Sequence, residues 1–430
     1  MTNTTRRRFL SSLGLVGGAA ALAGNGVLLS GCGKKAEEVI VIGGGFGGAT
    51  CAKTLRRLDP SLHVTLIERD SRFVTCPFSN TVIGGMNRLE DITHDNAALR
   101  DRHGVNVFQG NVVGINPAAK TIDLEGVGSR RYDRLVVSPG IDFRWGEVEG
   151  YDKAASLAIP HAWRAGEQTV LLRRQLEAMP DGGTVIIAPP GNPYRCPPGP
   201  YERASLIAHY LKQHKPRSKI LILDAKEKFS KQALFEEAWK QLYGDMIEWV
   251  KGSEGGTITA VDVKQRRVIN LIGEDFNGDV INLIPPQKAG AIAQQAGLTD
   301  NSGWCPVDQR TFASSIHPDI HVIGDACLAG SMPKSGFAAS SQGKVCAAAV
   351  VASLRGELLP EPSYVNTCYS LVDPDYGISV AGVYRLREGE IVGIEGAGGV
   401  SPLEASPEFR KKEADYARGW YASITADIFS

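Results

Sequence analysis

Cysteine is the residue type in this 430-residue chain best suited to redox chemistry, and the chain contains eight. No two of them form the spacing C-x-x-C, which excludes zinc-ribbon, thioredoxin-like and covalent haem c signatures. We predict that Cys196 and Cys368 each lie in an irregular loop. A bridge across their 172-residue separation (368 − 196) would stabilise the fold by on the order of 5 kcal/mol. Spacing alone leaves both a structural and a redox-active bridge open.

The other cysteines favour packing. Cys51 and Cys346 lie in alanine-rich helical patterns, and Cys305 is expected to be structural. Cys327 follows a Gly-Asp turn and could lie near a cofactor, although packing is again favoured. No metal site is predicted.

A glycine-rich turn is the second chemical signal, and it follows the β-branched run Val39–Ile42. Its G-x-G-x-x-G glycines are Gly43, Gly45 and Gly48. They allow a tight turn, close backbone approach to a pyrophosphate, and packing of a helix on the strand. The next apolar run ends in Glu68, 25 residues after Gly43 (68 − 43), where a carboxylate can accept from a ribose hydroxyl. The pattern predicts a dinucleotide-binding βαβ unit rather than an ordinary glycine-rich turn.

Several later residues are expected beside the same cofactor. Cys76 lies in a loop at the carboxyl ends of the strands, where it can face an isoalloxazine ring, although its position alone favours a buried apolar role. A strand typical of two-domain flavoproteins ends at Gly140. Another ends at Asp325, the aspartate expected to bind the ribityl chain of FAD. Lys334 and Gly336 open the following helix, whose N-terminus points at the flavin.

A second βαβ unit is predicted from the strand-like runs Gly183–Ala188 and Lys219–Asp224. The loop between them begins Pro189-Pro190 instead of supplying a second glycine-rich turn. Proline offers no N–H to a phosphate and cannot form that turn, so this unit is predicted to lack a nicotinamide site. Cys196 lies where the nicotinamide would have approached the flavin. Val280–Pro286 is interpreted as a crossing back to the first unit.

Composition indicates a globular protein with no preference for nucleic acid, because Lys+Arg and Asp+Glu are both 47. Thr5–Leu10 contains adjacent arginines and is followed by an apolar stretch, which predicts twin-arginine export to the periplasm. The leader ends at Cys32 in Leu-Ser-Gly-Cys, which resembles a lipobox and would make Cys32 a lipid anchor. The alternative is a chance cysteine beside a signal-peptidase site.

Together these elements predict an α/β fold with two Rossmann-like dinucleotide-binding domains in a glutathione-reductase-like FAD/NAD(P)-type architecture, plus a C-terminal α+β interface domain. The predicted divisions are a leader at 1–32, a discontinuous FAD-binding domain at 36–150 and 286–357, a second Rossmann-like domain at 151–285 and the interface domain at 358–430.

At these residues the chain resembles the flavoprotein subunit of flavocytochrome c sulfide dehydrogenase, within the sulfide:quinone oxidoreductase-like disulfide flavoproteins. The resemblance covers about residues 36–430. Its most specific motif is the ten-residue run 195–204, Arg-Cys-Pro-Pro-Gly-Pro-Tyr-Glu-Arg-Ala. The other matching segments are Thr75-Cys76, Ser79-Asn80, Asn282–Gln287, Gly303–Asp308, Met332–Gly336 and Tyr364–Ser370.

The resemblance implies oxidation of hydrogen sulfide to polysulfide or elemental sulfur. It implies that Cys76 carries FAD through a thioether, that Cys196 and Cys368 form a redox-active disulfide, and that Glu202 is a general base or electrostatic element. Hydrosulfide would attack the bridge by thiol–disulfide exchange. Because the chain has no C-x-x-C-H, a cytochrome c partner would supply haem c and accept single electrons.

Two alternatives remain at this point. A sulfide:quinone oxidoreductase would use the same disulfide but pass electrons to quinone, and would need an apolar C-terminal surface, whereas the segment 409–420 is charged. A catalytically silent, flavin-containing docking lipoprotein would need no cysteine pair.

Overall fold

The computed structural model describes residues 36–430, and the predicted leader with Cys32 lies outside the described residues. The strands are β1 Glu38–Ile42, β2 His63–Glu68, β3 Phe73–Val74, β4 Thr93–His94, β5 Asn106–Gln109, β6 Val112–Asn116, β7 Thr121–Leu124, β8 Gly128–Arg131, β9 Arg134–Val137, β10 Ile141–Phe143, β11 Thr184–Ala188, β12 Lys219–Leu223, β13 Ile247–Val250, β14 Ile258–Asp262, β15 Arg267–Asn270, β16 Asp275–Asn277, β17 Val280–Leu283, β18 Gln287–Ala289, β19 Ile320–Val322, β20 Ser363–Asp373, β21 Tyr376–Arg387, β22 Glu390–Gly393 and β23 Gly399–Val400. The α-helices are α1 Phe46–Leu58, α2 Ser79–Ile83, α3 Ala97–Asp101, α4 Glu167–Ala178, α5 Gly199–His214, α6 Gln232–Tyr243, α7 Ala291–Gln295, α8 Gly336–Arg355 and α9 Pro407–Phe429.

The first sheet is fully parallel, with the order β19-β9-β1-β2-β5. Its central strand β1 is apolar because it is covered on both faces, and Val39 and Val41 are fully buried. Strand β19 joins this sheet from a segment near residue 320 and places the following Gly-Asp turn beside the glycine-rich turn after β1.

Helices α1 and α8 pack closely against each other beside this sheet. A Cβ atom on Gly343 of α8 would lie 2.6 Å from the carbonyl oxygen of Gly47 on α1, so only glycine permits this approach. By length and composition α8 could also span a membrane, but 61% of its apolar window is buried inside the protein. We therefore describe α8 as a core helix.

The second sheet is also parallel, with the order β13-β12-β11-β17. The sequence interpretation of Val280–Pro286 as a crossing back to the first unit needs correction, because Val280–Leu283 is strand β17 of this second sheet. The return follows it: β18 pairs antiparallel with β10 in a two-stranded ribbon. The β17 segment is apolar because β11 and α4 bury it.

The C-terminal part is a sheet of β20, β21, β22 and β23 packed against α9. Strand β20 was missed in the sequence, and the prediction that Cys368 lies in an irregular loop is wrong. Cys368 lies within β20, paired with Val380 of β21. Polar and apolar residues do not alternate regularly along β20, because both faces of the strand contact other elements. The domain boundaries given above stay a prediction.

Candidate functional site

The glycine-rich turn connects β1 to α1 and leaves no room for side chains. Gly43 has φ +96°, and a Cβ there would lie 2.3 Å from the Ser138 carbonyl oxygen. A Cβ on Gly48 would lie 1.9 Å from the carbonyl oxygen of Gly43, and one on Gly45 would lie 3.2 Å from the Phe73 ring. The turn therefore exposes backbone where a pyrophosphate can approach the start of α1.

Glu68 at the end of β2 faces this turn, and its carboxylate accepts a hydrogen bond from the Gly44 N–H at 2.6 Å. Asn96, which precedes α3, approaches the same glycine: its Nδ2 would lie 2.7 Å from a Cβ on Gly44. Asn96 is buried. Sequence reasoning missed Asn96, because no motif marks a lone asparagine that reaches the turn from a separate loop.

The start of α8 brings together three more of the predicted residues. The Lys334 ammonium donates to the carbonyl oxygens of Asp325 at 2.7 Å and Cys327 at 2.9 Å, and it lies 3.8 Å from the centre of the Trp304 ring. Gly336 begins the helix, where a Cβ would lie 3.1 Å from the Phe46 ring. The largely buried Asp325 carboxylate lies 3.8 Å from Arg195. Burial raises the pKa of Asp325, and the positive charges of Arg195 and Lys334 oppose that rise.

Gly140 lies apart from the α8 group, at the end of the strand β9 segment. Its φ is +63°, and its carbonyl oxygen accepts from the Gly290 N–H at 2.9 Å. Since nothing would contact a Cβ at this position, the positive φ alone explains the glycine.

Cys76 lies just before α2 and is partly buried. Its thiol donates to the carbonyl oxygen of Trp163 at 3.5 Å, the same oxygen to which the Arg195 guanidinium donates. The indole N–H of Trp163 donates in turn to the Arg195 carbonyl at 3.1 Å. Negative charge on Cys76 raises the pKa of Cys196, so the Cys76 loop and the Cys196 loop are neighbours.

Cys196 and Cys368 approach from the loop before α5 and from β20, and both are free thiols in the structure. The loop holds Cys196 at φ +57°, with its N–H donating to the Lys334 carbonyl at 2.8 Å. Burial raises the pKa of Cys196, and negative charge on Cys368 and Glu202 raises it further, whereas Arg195 lowers it. Burial also raises the pKa of Cys368. The two cysteines are partly buried, and the effect of Cys368 on the pKa of Cys196 makes them neighbours.

Glu202 connects the two elements that carry these cysteines. From the first turn of α5, its carboxylate accepts from the Leu371 N–H of β20 at 2.9 Å and from the Asn80 side chain at 2.7 Å. Asn80 also accepts from the guanidinium of Arg203 at 3.0 Å. Burial raises the pKa of Glu202, and its hydrogen bonds, Lys231 and Arg203 oppose that rise.

Lys231 is a second residue that sequence reasoning missed. It immediately precedes α6, is buried, and donates from Nζ to the Ser370 hydroxyl at 2.8 Å. Its positive charge lowers the pKa of Cys368. No sequence signal identifies it, because Ser370 lies 139 residues away in the chain.

The second parallel sheet presents a different kind of carboxyl edge. Asp224, after β12, is fully buried and accepts from Lys226 at 2.6 Å, from the Trp249 indole at 3.0 Å and from the Tyr201 hydroxyl. The same ammonium of Lys226 donates to the Pro190 carbonyl at 3.0 Å. The Asp224 carboxylate, which could otherwise accept a hydrogen bond from a ribose hydroxyl, is thus already hydrogen-bonded by side chains of the protein.

The residues around the first sheet fit an FAD molecule. Within residues 36–430, four buried polar side-chain atoms lack a hydrogen-bond partner at this end of the sheet: Asn96 Oδ1, Arg195 Nε, Gln287 Nε2 and Asp325 Oδ1. Buried polar atoms are usually paired, so a polar ligand is the expected partner. In the same described part of the chain, no group of three or more His, Cys, Asp or Glu side chains could hold a metal ion.

Three family models match the chain. The model for the central part of the flavoprotein chain of flavocytochrome c sulfide dehydrogenase matches residues 169–285, and the flavin-binding model of the same enzyme matches residues 360–429. A pyridine nucleotide-disulphide oxidoreductase model matches residues 37–170.

Three curated proteins illustrate the sequence similarity. The flavoprotein chain of sulfide dehydrogenase from Chlorobaculum thiosulfatiphilum is 65% identical over 46 residues, which are 11% of this chain and 96% of that sequence. A sulfide-quinone reductase of Aquifex aeolicus is 33% identical over 185 residues, 43% of this chain and 42% of that one. The mitochondrial sulfide:quinone oxidoreductase of Mus musculus is 22% identical over 324 residues, 71% of this chain and 68% of that one.

Solved structures share the fold. The sulfide:quinone oxidoreductase from Aquifex aeolicus superposes with a TM-score of 0.72 at 18% identity, covering 92% of both chains. A putidaredoxin reductase–putidaredoxin complex gives a TM-score of 0.63 at 17% identity, covering 91% of this chain and 99% of that one. The predicted α/β fold class is confirmed.

Proposed function

The chain belongs to the family of sulfide-oxidising flavoproteins that includes flavocytochrome c sulfide dehydrogenase. From that premise we propose that a disulfide between Cys196 and Cys368 oxidises the substrate, hydrogen sulfide. The two-electron product would be polysulfide or elemental sulfur. Electrons would pass through FAD and leave one at a time to a cytochrome c subunit.

The observation that carries this proposal is the convergence of Cys196, Cys368 and Glu202. The loop before α5, strand β20 and helix α5 bring these three residues together, although the two cysteines are 172 residues apart in the chain (368 − 196). Arg195 lowers the pKa of Cys196 and Lys231 lowers the pKa of Cys368, which favours departure of either sulfur as thiolate when a disulfide between them is attacked. Hydrosulfide, a soft nucleophile, attacks one sulfur, and the other leaves as thiolate.

FAD supplies the acceptor that takes two electrons and returns them singly. Gly43, Gly48 and Glu68 would hold its adenosine diphosphate half, and Asp325 with the start of α8 would hold its ribityl half and flavin.

We also propose a thioether from Cys76 to the flavin. The partial exposure of Cys76 and its position beside the Cys196 loop support that linkage. Flavin that stays with acid-precipitated wild-type protein, and is released from Cys76→Ser, would be the expected result.

The proposed acceptor is cytochrome c, with haem c carried on a partner chain. The sequence contains no C-x-x-C-H motif of its own, and the exposed Lys411 and Lys412 make the surface at the start of α9 charged rather than apolar. Quinone is the second candidate, favoured by the names of the sulfide:quinone relatives. Reoxidation of the sulfide-reduced protein by cytochrome c, but not by a soluble quinone, distinguishes the two.

We propose a periplasmic location reached by twin-arginine export, with Cys32 as a lipid-bearing N-terminus. The support is the sequence of the leader, which lies outside the described residues. Metabolic labelling with palmitate that is present in the wild type and lost in Cys32→Ala would be the expected result.

The central test is an anaerobic titration of the purified holoprotein with sulfide, followed by the flavin absorbance. We expect bleaching in the wild type and none in Cys368→Ser with FAD still bound. Cys305→Ser is the matched control, because Cys305 is a buried cysteine outside the pair. Equal bleaching in both Cys368 forms would mean that sulfide reaches FAD directly. No bleaching in any form would instead favour the docking lipoprotein.

A further inference from the structure

A buried ammonium group faces the strand that carries Cys368. Lys231 is only 8% exposed, and its Nζ donates to Ser370 Oγ at 2.8 Å. Ser370 lies two residues after Cys368 on β20, so the two side chains project from the same face of the strand. The ammonium therefore lies on the side of β20 from which the Cys368 sulfur extends.

This cation has no carboxylate at ion-pair distance within the described chain, residues 36–430. Lys226, by comparison, is paired with Asp224 at 2.6 Å. One hydrogen bond to a serine hydroxyl, together with the Phe235 ring 5.7 Å away, leaves most of the charge of Lys231 uncompensated. A buried ammonium in this state is costly unless an anion joins it.

The groups that face Lys231 come from several elements. They are Cys368 on β20, Glu202 on α5, Cys196 in the preceding loop and Glu413 on α9. Burial lowers the pKa of Lys231, and negative charge at each of these groups raises it. Glu202 already accepts two hydrogen bonds, and Glu413 accepts from Ser379 at 2.8 Å and from Ser401 at 2.5 Å. Cys368 shares a strand face with the Ser370 hydroxyl that Lys231 binds, so its sulfur is the place where a new anion would be stabilised.

We propose that Lys231 is the anion-binding group of the sulfide site, holding hydrosulfide against Cys368 and stabilising negative charge on the sulfur added there. The inference rests on the proposed function of the cysteine pair and extends it. It assigns a substrate-binding role to a residue that no motif identifies.

The position of Lys231 also gives a direction to the first step. Hydrosulfide forms a bond to Cys368 Sγ, the Cys196–Cys368 bond breaks, and its electron pair leaves on Cys196 as a thiolate. Cys368 then carries the added sulfur as a persulfide, whose ionised form lies beside Lys231. The leaving thiolate has a separate cation, because Arg195 lowers the pKa of Cys196. Each sulfur that gains charge thus has its own positive neighbour.

The test compares Lys231→Met and Lys231→Gln, which remove the charge, with Lys231→Arg, which keeps it. Lys215→Met is the matched control, because Lys215 is equally buried at 8% and donates to main-chain carbonyls away from the cysteines. Two neutral substitutions are included so that one folding failure does not decide the result.

The first measurement is the second-order rate of flavin bleaching by sulfide. The second needs no turnover: the fully reduced protein is treated with iodoacetamide at several pH values, and alkylation of the Cys368 peptide is quantified by mass spectrometry. Removal of a nearby opposite charge raises the pKa of a thiol by about one unit or more, so both neutral variants should alkylate Cys368 about tenfold more slowly at pH 8. Bleaching should slow by about tenfold or more, and Lys231→Arg should recover most of both losses.

Wild-type bleaching and alkylation rates in the neutral variants would overturn the inference, as would an equal loss in Lys215→Met. The alkylation result also separates the two proposals. If the wild type is not bleached by sulfide, the proposed function fails, whereas slowed alkylation of Cys368 in the neutral variants still reports the charge of Lys231 acting on that sulfur.

Discussion

At the scale of single residues, burial controls the chemistry of the two sulfurs. It raises the pKa of both Cys196 and Cys368, while one cation beside each lowers it: Arg195 for the first and Lys231 for the second. A raised pKa makes each sulfur a poorer leaving group, and the neighbouring cation opposes this by stabilising the thiolate. In the proposed disulfide, the two cations would therefore favour departure of either sulfur as thiolate.

Glu202 leads to a pH prediction. Because burial raises its pKa, its carboxylate form appears at higher pH than that of an ordinary glutamate. If this carboxylate is the base, the rate of bleaching at constant hydrosulfide concentration should rise with pH through the raised pKa. Glu202→Gln should lose that rise and be about 100-fold slower on the alkaline side.

The readout is a stopped-flow pH profile of both forms, with Glu227→Gln, an exposed glutamate on another loop, as the control. Superimposable profiles for the wild type and Glu202→Gln would contradict a role as base.

The same pKa shift has a consequence for stability: the contribution of Glu202 to folding is fully present below the unfolded-state pKa and is lost as pH rises through the folded-state pKa.

At the scale of elements, the sequence predicts those whose signals are local. The β-branched run of β1, the glycine turn and the alanine-rich α8 are visible because each depends on neighbouring residues. Strand β20 cannot be recognised from the sequence, because its burial depends on contacts with β21, α5 and α8 and its residues show no regular polar–apolar alternation. Asn96 and Lys231 are missed for the same reason: their partners lie on other elements, and no spacing along the chain encodes them.

The junction of β1 and α1 gives the prediction that belongs to this scale. In Gly48→Ala the added methyl group would meet the Gly43 carbonyl oxygen at 1.9 Å, which only a backbone shift can relieve. We expect a loss of about 1–3 kcal/mol in the free energy of unfolding and a lower flavin content. Chemical denaturation and the ratio of flavin to protein absorbance measure the two effects.

Gly419→Ala is the control for this change, because Gly419 lies within α9 and a Cβ there would contact nothing within 4 Å. It should stabilise the protein by about 0.5–1 kcal/mol with unchanged flavin content. Equal flavin content in Gly48→Ala and the wild type would show that the turn tolerates a side chain after all.

At the scale of the whole molecule, the two parallel sheets have the same architecture but different carboxyl ends. The first ends in exposed backbone and unpaired polar atoms. The second ends in prolines and in an Asp224 carboxylate bound by Lys226, Tyr201 and Trp249. One sheet is thus arranged to receive a dinucleotide, and the other has its equivalent acid satisfied by the protein.

We therefore expect NADH to leave the flavin oxidised under anaerobic conditions in which sulfide bleaches it. Pro189 and Pro190 have no N–H for a pyrophosphate, and the ion pair of Asp224 with Lys226 removes the acceptor for a ribose hydroxyl. The flavin absorbance is followed during an NADH titration, and dithionite confirms that the bound flavin is reducible. Bleaching of the flavin by NADH would refute the prediction that the second sheet lacks a nicotinamide site.

The proposed Cys196–Cys368 disulfide would close a long segment of chain. The ring would contain β12, β13 and β17 of the second sheet and β19 of the first, and each reduction by sulfide would open it. In the structure both thiols are free, yet Glu202 still binds the Leu371 backbone and Lys231 still binds Ser370, so non-covalent contacts hold β20 against α5 without the bridge. Reoxidation can then close the ring from a fixed geometry, without a conformational search by the 172-residue loop between the two sulfurs.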